Sequence, residues 1–398
     1  MKEIYLDNAA TTRVCEEAVS IMEQVMREDF GNPSSLHRKG FVADTYVREA
    51  KKQIAKSLKC EEKEIILTSG GTEANNLALF GGAYAKKRSG NHIISTSVEH
   101  ASVYNPLIFL EEQGFEVTYL SVDANGRISL EELKNSLRKD TILVSIMAVN
   151  NEIGAVEPIA EAAKLVHDFN ANILFHVDAI QSYGKLPIAP GKLGIDLLSV
   201  SGHKLHGPKG SGFLYKRDKV RIIPEILGGG QQNNMRSGTE NVPAIAGLGE
   251  AVRVYFQNQK QYMEQMYACK EAFLRRLADM PFAHPNAVFS ELSDTHSLSE
   301  RVRMTAPHVL CVSFDSISKS EVLLHSLEEY GIYVSSGSAC SSNHPAISGT
   351  LKAIGLPDCY LGSTIRFSFC PETTLSEIEE TCDRLSEIVP KLQKYTVK

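Results

Sequence analysis

Between about residues 60 and 215 the chain alternates short β-branched runs with amphipathic stretches, and this alternation narrows its architecture more than any other feature. The runs are Ile65-Ile66-Leu67, Ile93-Ile94, Val117 to Leu120, Ile142 to Val149, Ile173 to Val177 and Leu197 to Val200. They lack strict polar alternation, which is how strands buried on both faces read. Between them, residues 129–138 open on Ser129 with Glu132 three places on, a capping box. Residues 159–169 repeat apolar side chains at Ile159, Ala163, Val166 and Phe169, and an earlier helix over 38–58 puts Val47, Ala50, Ile54 and Leu58 on one side. Strands alternating with helices mean βαβ crossovers: an α/β fold with a mainly parallel sheet and helices on both faces.

After about residue 250 the pattern changes. A helix-compatible stretch over 251–278 leads through Pro281, Pro285 and Pro307 to a strand at Val309 to Phe314. A capped helix begins at Ser318, short strands follow at Ile332 to Val334 and Thr364 to Phe369, and a last helix carries Ile378, Cys382, Leu385, Val389 and Leu392. This predicts a second, smaller α+β domain. The expected division is a large domain at 16–255 and a small C-terminal domain at 256–398 that also takes in the N-terminal segment 1–15. With 398 residues, 43% of them hydrophobic, there is apolar material for both cores.

Charge and cysteine usage exclude several function classes. The net charge of −6 argues against a basic face, so no direct nucleic-acid partner is expected. The longest apolar run falls far short of the roughly 18 residues of a membrane span, and the first residues, Met1 to Asp7, contain no apolar stretch that would direct secretion. The eight cysteines are dispersed with no Cys-x-x-Cys pair, and no His-Glu-x-x-His stretch occurs. Neither a disulfide framework nor a metal site is expected; reduced thiols in the cytoplasm fit better.

In open parallel sheets ligands bind outside the carboxyl ends of the strands, and the unusual polar residues gather there. Ser69-Gly70-Gly71-Thr72-Glu73 follows the first run, Glu99-His100 the second, Asn150-Asn151-Glu152 the fourth, Asp178 with Gln181 the fifth, and Ser201-Gly202-His203-Lys204 the last. The Gly70-Gly71-Thr72 turn at a helix start offers backbone N–H groups and a positive dipole end to a phosphate. Alone it is equally a plain strand–helix turn. Asp178 at a buried strand end needs a cationic partner, which a pyridinium nitrogen supplies. Lys204 in the same setting suits Schiff-base chemistry. A phosphate cradle, a buried Asp and a later Lys on one edge describe a pyridoxal-phosphate site better than a nicotinamide, nucleotide or metal site.

The motifs Asp7-Asn8-Ala9-Ala10-Thr11-Thr12, Gly31-Asn32-Pro33-Ser34-Ser35-x-His37, Asn150-Asn151-Glu152-Ile153-Gly154, Asp178-Ala179-x-Gln181-Ser182, Ser201-x-His203-Lys204-x-x-Gly207-Pro208, Arg236-Ser237-Gly238-Thr239 and Ser336-Gly337-Ser338-Ala339-Cys340 occur in this order. From residue 4 to about 370 the chain resembles the NifS/IscS-like cysteine desulfurases, a branch of the fold-type I, class V aminotransferase group. The resemblance implies a large domain built on a seven-stranded, mainly parallel sheet, a small domain carrying a cysteine loop, and a homodimer. It implies that Lys204 holds pyridoxal phosphate and moves protons at the substrate Cα, that Asp178 pairs with the pyridine nitrogen, and that His100 lies against the ring and acts as acid–base. Asn151 and Gln181 would face the ring substituents; Gly71, Thr72, Ser201 and His203 would hold the phosphate, with Thr239 contributing across the dimer. Arg366, with Asn151, would bind the substrate carboxylate.

Cys340 decides among related activities. Ser335 to Gly349 is rich in Ser, Gly and Asn without apolar periodicity, which reads as a mobile exposed loop. Structural cysteines sit instead on strands or apolar helix stripes, as Cys311 and Cys382 do in the pattern. On the resemblance, the Cys340 thiolate takes sulfur from L-cysteine, leaving alanine and a persulfide for a sulfur-acceptor protein, an iron–sulfur scaffold or a tRNA-thiolation enzyme. The stretch Ser341 to Ser348 departs from the family's usual sequence and leaves the acceptor open. A selenocysteine lyase, kynureninase or transaminase shares the Asp178 and Lys204 motifs but needs no such thiol. A non-catalytic assembly scaffold would not be expected to keep Lys204, Asp178 and Cys340 together.

Overall fold

The computed structural model describes residues 3–289, 295–336 and 348–396. In chain order the elements are β1 (Ile4–Tyr5), α1 (Glu16–Arg27), α2 (Arg38–Leu58), β2 (Ile65–Thr68), α3 (Gly71–Lys86), β3 (His92–Thr96), α4 (Ala101–Glu112), β4 (Glu116–Leu120) and α5 (Leu130–Ser136). Next come β5 (Thr141–Met147), α6 (Ile159–Phe169), β6 (Leu174–Asp178), α7 (Pro190–Leu193), β7 (Leu197–Ser201), β8 (Gly212–Lys216), α8 (Val242–Gln257) and α9 (Gln259–Leu277). The last third holds β9 (Ala283–Pro285), α10 (Leu298–Arg303), β10 (Val309–Phe314), α11 (Ser320–Glu328), β11 (Ile332–Tyr333), β12 (Ser335–Ser336), α12 (Gly349–Ala353), α13 (Asp358–Leu361), β13 (Thr364–Ser368) and α14 (Leu375–Thr396).

Seven strands form one sheet in the order β2-β8-β7-β6-β5-β3-β4. Only β8 runs against the rest, since it pairs antiparallel with both β2 and β7. Successive residues of each strand serve opposite faces, as a period of two requires. Ile93, Leu143, Leu174 and Leu197 pack with Leu77, Val103 and Leu107 of α3 and α4. Their neighbours Ile94, Val144, Phe175 and Leu198 pack with Val47, Ile54, Val166 and Leu248 of α2, α6 and α8. All seven residues of β5 are buried, which explains its unbroken apolar reading. A second sheet, β12-β13-β10-β9, lies with α9, α11 and α14 around a separate core of Leu310, Val312, Phe367, Phe273 and Ile378. The N-terminal strand β1 pairs with β11, not with the large sheet. None of the described helices is long and apolar enough to cross a membrane.

Four details depart from the expected elements, the first being that the helix expected to be capped at Ser318 begins at Ser320, where Lys319 caps it without a side-chain hydrogen bond. The sequence pattern did not reveal β8, whose apolar run is Phe213-Leu214-Tyr215. The stretch over 251–278 is two helices that break at Asn258, where the backbone leaves helical geometry. At α5 the cap is half a box: the Ser129 side chain accepts from the Glu132 N–H, but the Glu132 carboxylate turns to the Ser121 N–H and hydroxyl.

Glu157, between β5 and α6, is 4% exposed; its Oε2 accepts from the Ile128 N–H while Oε1 has no partner among the described residues. Burial raises its pKa to about 7. The folded chain therefore holds a proton that the unfolded chain releases near pH 4.5, so stability is highest below that pH and falls as pH rises to about 7. At about 1.4 kcal/mol per pH unit the loss is about 3 kcal/mol. Glu157→Gln is expected to remove this share of the pH dependence, read by denaturant unfolding at pH 5 and pH 8; an equal slope in both proteins would contradict it.

Candidate active site

Because β2, β3, β5, β6 and β7 share one direction, the turns after them open on a single edge. Asp178 ends β6 there, 4% exposed. Its Oδ1 accepts from the Ile180 N–H at 2.9 Å and its Oδ2 from Asn75 Nδ2 at 2.9 Å. Burial raises its pKa, while those hydrogen bonds and the positive charge of Lys204 act against burial. Asn75, on the second turn of α3, gives its other amide hydrogen to Ser102 Oγ at 2.9 Å. Ser102 Oγ lies 2.9 Å from His100 Nδ1. His100 caps α4, and its Nδ1 also accepts from the Ser102 N–H at 3.1 Å. Since a backbone N–H can only donate, Nδ1 carries no proton, and the neutral ring holds its proton on Nε2. The carboxylate and the imidazole are thus linked through Asn75 and Ser102.

Lys204 ends the short 3₁₀ turn after β7. Its Nζ donates to the carbonyls of Ala9 at 2.6 Å and Ala10 at 2.7 Å. The N-terminal segment is fastened to this turn at further points: Thr12 Oγ1 donates to the His203 carbonyl at 2.9 Å, and His203 Nδ1 lies 3.2 Å from Thr11 Oγ1. Burial lowers the His203 pKa to about 4, aided by Lys204, Lys209 and Lys185. A second lysine, Lys185, is fully enclosed and donates to the Lys204 carbonyl at 2.5 Å; burial and the charge of Lys204 lower its pKa to about 7. Gln181 donates from Nε2 to the Ala9 carbonyl at 3.0 Å, so its amide orientation is fixed and Oε1 accepts from His308 Nε2 at 3.0 Å. His308 is buried and kept neutral, and its Nδ1 has no partner among the described residues.

Whether these residues fit pyridoxal phosphate turns on two observations. Asp178 is a buried carboxylate whose protein hydrogen bonds leave it without a directly bonded cation, which a protonated pyridine nitrogen would supply. The start of α3 is a cradle open to an anion. Gly70 has φ 153° and ψ −175°, a conformation reserved for glycine, and no side chain caps the helix. A Cβ on Gly71 would lie 2.2 Å from Ile180 Cδ1 and 3.4 Å from Ser201 Cβ, so Gly71, Ser201 and the turn after β6 meet closely. Both observations fit the cofactor. Thr72 is exposed beside this cradle.

Arg366, on β13, is 3% exposed; its Nη1 donates to the Asn151 carbonyl at 3.0 Å and its Nη2 to Asp7 Oδ1 at 2.9 Å. Nε finds no partner among the described residues, which leaves donors for a carboxylate. Asn150, the neighbour of Asn151, is a turn residue: its Oδ1 accepts from the Glu152 and Ile153 N–H groups. Cys340 lies outside the described residues. The chain on either side of its segment is tied beside the site, Ser335 pairing with Arg366 and Ser348 donating to Glu152 at 2.5 Å. Thr239 is exposed on the stretch before α8. Cys311 and Cys382 are buried on β10 and α14, as their places in the pattern implied.

Sequence reasoning gave no role to Asn75, Ser102, Asp7, Lys185 or His308. A signal existed for Asn75, a polar residue four after Gly71 on the otherwise apolar inner face of α3 (Ala74, Leu77, Ala78). For Lys185 and His308 the pattern held none, because their partners come from distant segments.

The chain matches the aminotransferase class-V family over residues 4–381. It is 42% identical over 392 residues to "Cysteine desulfurase IscS" of Dictyoglomus turgidum, covering 98% of this chain and 96% of that one. It is 43% identical to "Putative cysteine desulfurase IscS 1" of Bacillus subtilis, over 98% of this chain and all of the other. Among solved structures, a "NIFS-LIKE PROTEIN" superposes with a TM-score of 0.89 at 35% identity over 98% of this chain and 100% of that one. Another, described as "SspA in complex with cysteine", gives 0.78 at 33% identity over 94% of this chain and 100% of that one.

Proposed function

The chain belongs to the aminotransferase class-V family and, within it, to the pyridoxal-phosphate-dependent cysteine desulfurases, and from that membership we propose the following division of labour. The observation that carries it is the placing of Lys204, clamped by the Ala9 and Ala10 carbonyls, on the same sheet edge as buried Asp178. Pyridoxal phosphate, when bound, supplies an electron sink for the substrate Cα. Gly71, Thr72, Ser201 and His203 hold its phosphate, with Thr239 reaching in from a second copy; Asp178 holds the ring nitrogen; Asn151, Gln181 and His100 surround the ring. Arg366 and Asn151 bind the substrate carboxylate. The Lys204 amine moves a proton at the substrate Cα, and His100 exchanges one from Nε2. The Cys340 thiolate attacks the substrate sulfur. The sulfur–sulfur bond forms as the carbon–sulfur bond breaks; its electron pair stays with carbon, which takes up a proton. One L-cysteine and one thiol thus give one L-alanine and one persulfide.

The enzyme works in the cytoplasm as a homodimer, and its persulfide passes to an iron–sulfur scaffold or a tRNA-thiolation enzyme. Exposed Phe30, Leu36, Phe41 and Leu227 are apolar surface of the kind a second copy covers. Residues 16–255 form its large domain, and 256–398 with 1–15 its small one, a division supported by the pairing of β1 with β11.

Purified enzyme given L-cysteine and a thiol reductant is expected to release alanine and sulfide in a one-to-one ratio. A keto acid without sulfide, or turnover of selenocysteine alone, would replace this reading with a transaminase or a selenocysteine lyase. Asp178→Asn tests the ring-nitrogen partner. The variant keeps the Ile180 contact, and the Asn75 amide can turn over to accept from the new side chain. The fold should hold while turnover falls about 10²–10³-fold, the usual cost of losing one preorganised electrostatic group. Turnover within about threefold of the parent would remove Asp178 from the mechanism.

A further inference from the structure

We propose that His206, Cys370 and Glu372 form a binding site for a zinc-like divalent cation, beside the catalytic edge but not part of it. One donor atom from each of the three lies within 4.8 Å of the others, and His206 Nε2 is 3.8 Å from Glu372 Oε2. The histidine is already set in the ligating tautomer. Its Nδ1 lies 3.0 Å from the Arg13 carbonyl, which can only accept, so Nδ1 carries the proton and the Nε2 lone pair is left for a cation. The ring cannot drift. The His206 N–H donates to Thr12 Oγ1 at 2.8 Å, its carbonyl accepts from the Cys15 N–H at 2.9 Å, and the ring stacks on Tyr255 at 6.1 Å.

Tyr255 is the independent sign of a missing group. Tyr255 is 3% exposed, its hydroxyl finds no partner among the described residues, and its ring lies 6.1 Å from that of His206. A tetrahedral ion held by three protein donors keeps a fourth position for water. The three ligands face a cavity of about 800 Å³ in which five glutamates outnumber one arginine and one lysine. Sulfur, imidazole nitrogen and one carboxylate select zinc or a similar ion over calcium or magnesium, which prefer oxygen alone. As the metal–sulfur bond forms, the Cys370 proton leaves to solvent. The absence of Cys-x-x-Cys and His-Glu-x-x-His motifs does not bear on this trio, because His206 and Cys370 come from distant parts of the chain. A bound ion would staple the turn after β7 to the stretch after β13.

The test uses chelator-treated holoenzyme, titrated with Zn²⁺ against a chromogenic chelator and separately with Co²⁺. One Zn²⁺ per chain is expected, with a sulfur-to-cobalt absorption in the Co²⁺ form. Losing an outer-shell partner alone costs about 10–100-fold in affinity, so Cys370→Ser and His206→Gln should weaken Zn²⁺ by more than about 100-fold. Glu372→Gln, at an exposed position that cannot unfold the chain, should weaken it measurably too. Cys340→Ser should leave binding unchanged. No binding, binding that survives in both Cys370→Ser and His206→Gln, or binding lost in Cys340→Ser alone would overturn the proposal. None of these readings involves turnover, so the result is independent of the desulfurase assignment.

Discussion

Lys204→Arg is expected to lower sulfide release from L-cysteine by at least about 10³-fold while the protein stays folded. An arginine can still donate to the Ala9 and Ala10 carbonyls that hold the lysine amine, so the N-terminal segment keeps its clamp. It cannot do the chemistry. A guanidinium with a pKa above about 12 offers no lone pair at neutral pH, neither to bind a carbonyl carbon nor to accept the substrate's Cα proton. Positioned proton transfer alone contributes about 10²–10⁴-fold, and loss of the covalent hold adds to it. Circular dichroism and thermal unfolding should match the parent, while sulfide and alanine both disappear. Activity within tenfold of the parent would show that another base, such as Lys185, serves in its place.

The second large effect is at Cys340. Cys340→Ser should bind cofactor and substrate as the parent does yet release sulfide at least about 10³-fold more slowly, the scale on which loss of an attacking nucleophile is felt. The serine hydroxyl stays protonated near neutral pH and cannot carry a persulfide. The visible absorbance of the bound cofactor should still change on adding L-cysteine, because the groups that meet the substrate first are untouched. Full sulfide release by the variant would move the sulfur acceptor elsewhere and favour a lyase.

Most of the large sheet was legible because all its strands but edge strand β4 are buried on both faces and therefore read as bare apolar runs. The runs at 65–67, 93–94, 117–120 and 197–200 fall on strands of the seven-stranded sheet, and those at 142–149 and 173–177 overrun theirs by one or two residues. β8 escaped although Phe213-Leu214-Tyr215 is as long a run as Ile65-Ile66-Leu67: no α-helix separates it from β7, so it falls outside the strand–helix alternation. The site residues that announced themselves stand directly after a strand, where a polar cluster contrasts with its surroundings. Lys185 and His308 carry no such contrast, and Asn75 shows only as one polar residue on the apolar inner face of α3. Each acquires its role through a contact across the fold, Asn75 with Asp178, Lys185 with the Lys204 carbonyl and His308 with Gln181, and such contacts leave no mark on local sequence. The family resemblance assigned Arg366 to the substrate carboxylate, but its bond to Asp7 could not be read, because the two residues lie 359 positions apart.

That separation has a consequence for how the protein is made. Thr11 and Thr12 can dock once His203 to His206 have emerged from the ribosome. Ile4 to Asn8 must wait for Ile332, Tyr333, Arg366 and Ser368. At about 5–20 residues per second, the first strand stays unpaired for about 20–70 s after it is made. All seven strands of the large sheet are complete by Lys216, so a nascent chain can hold a finished sheet beside an unfinished catalytic centre.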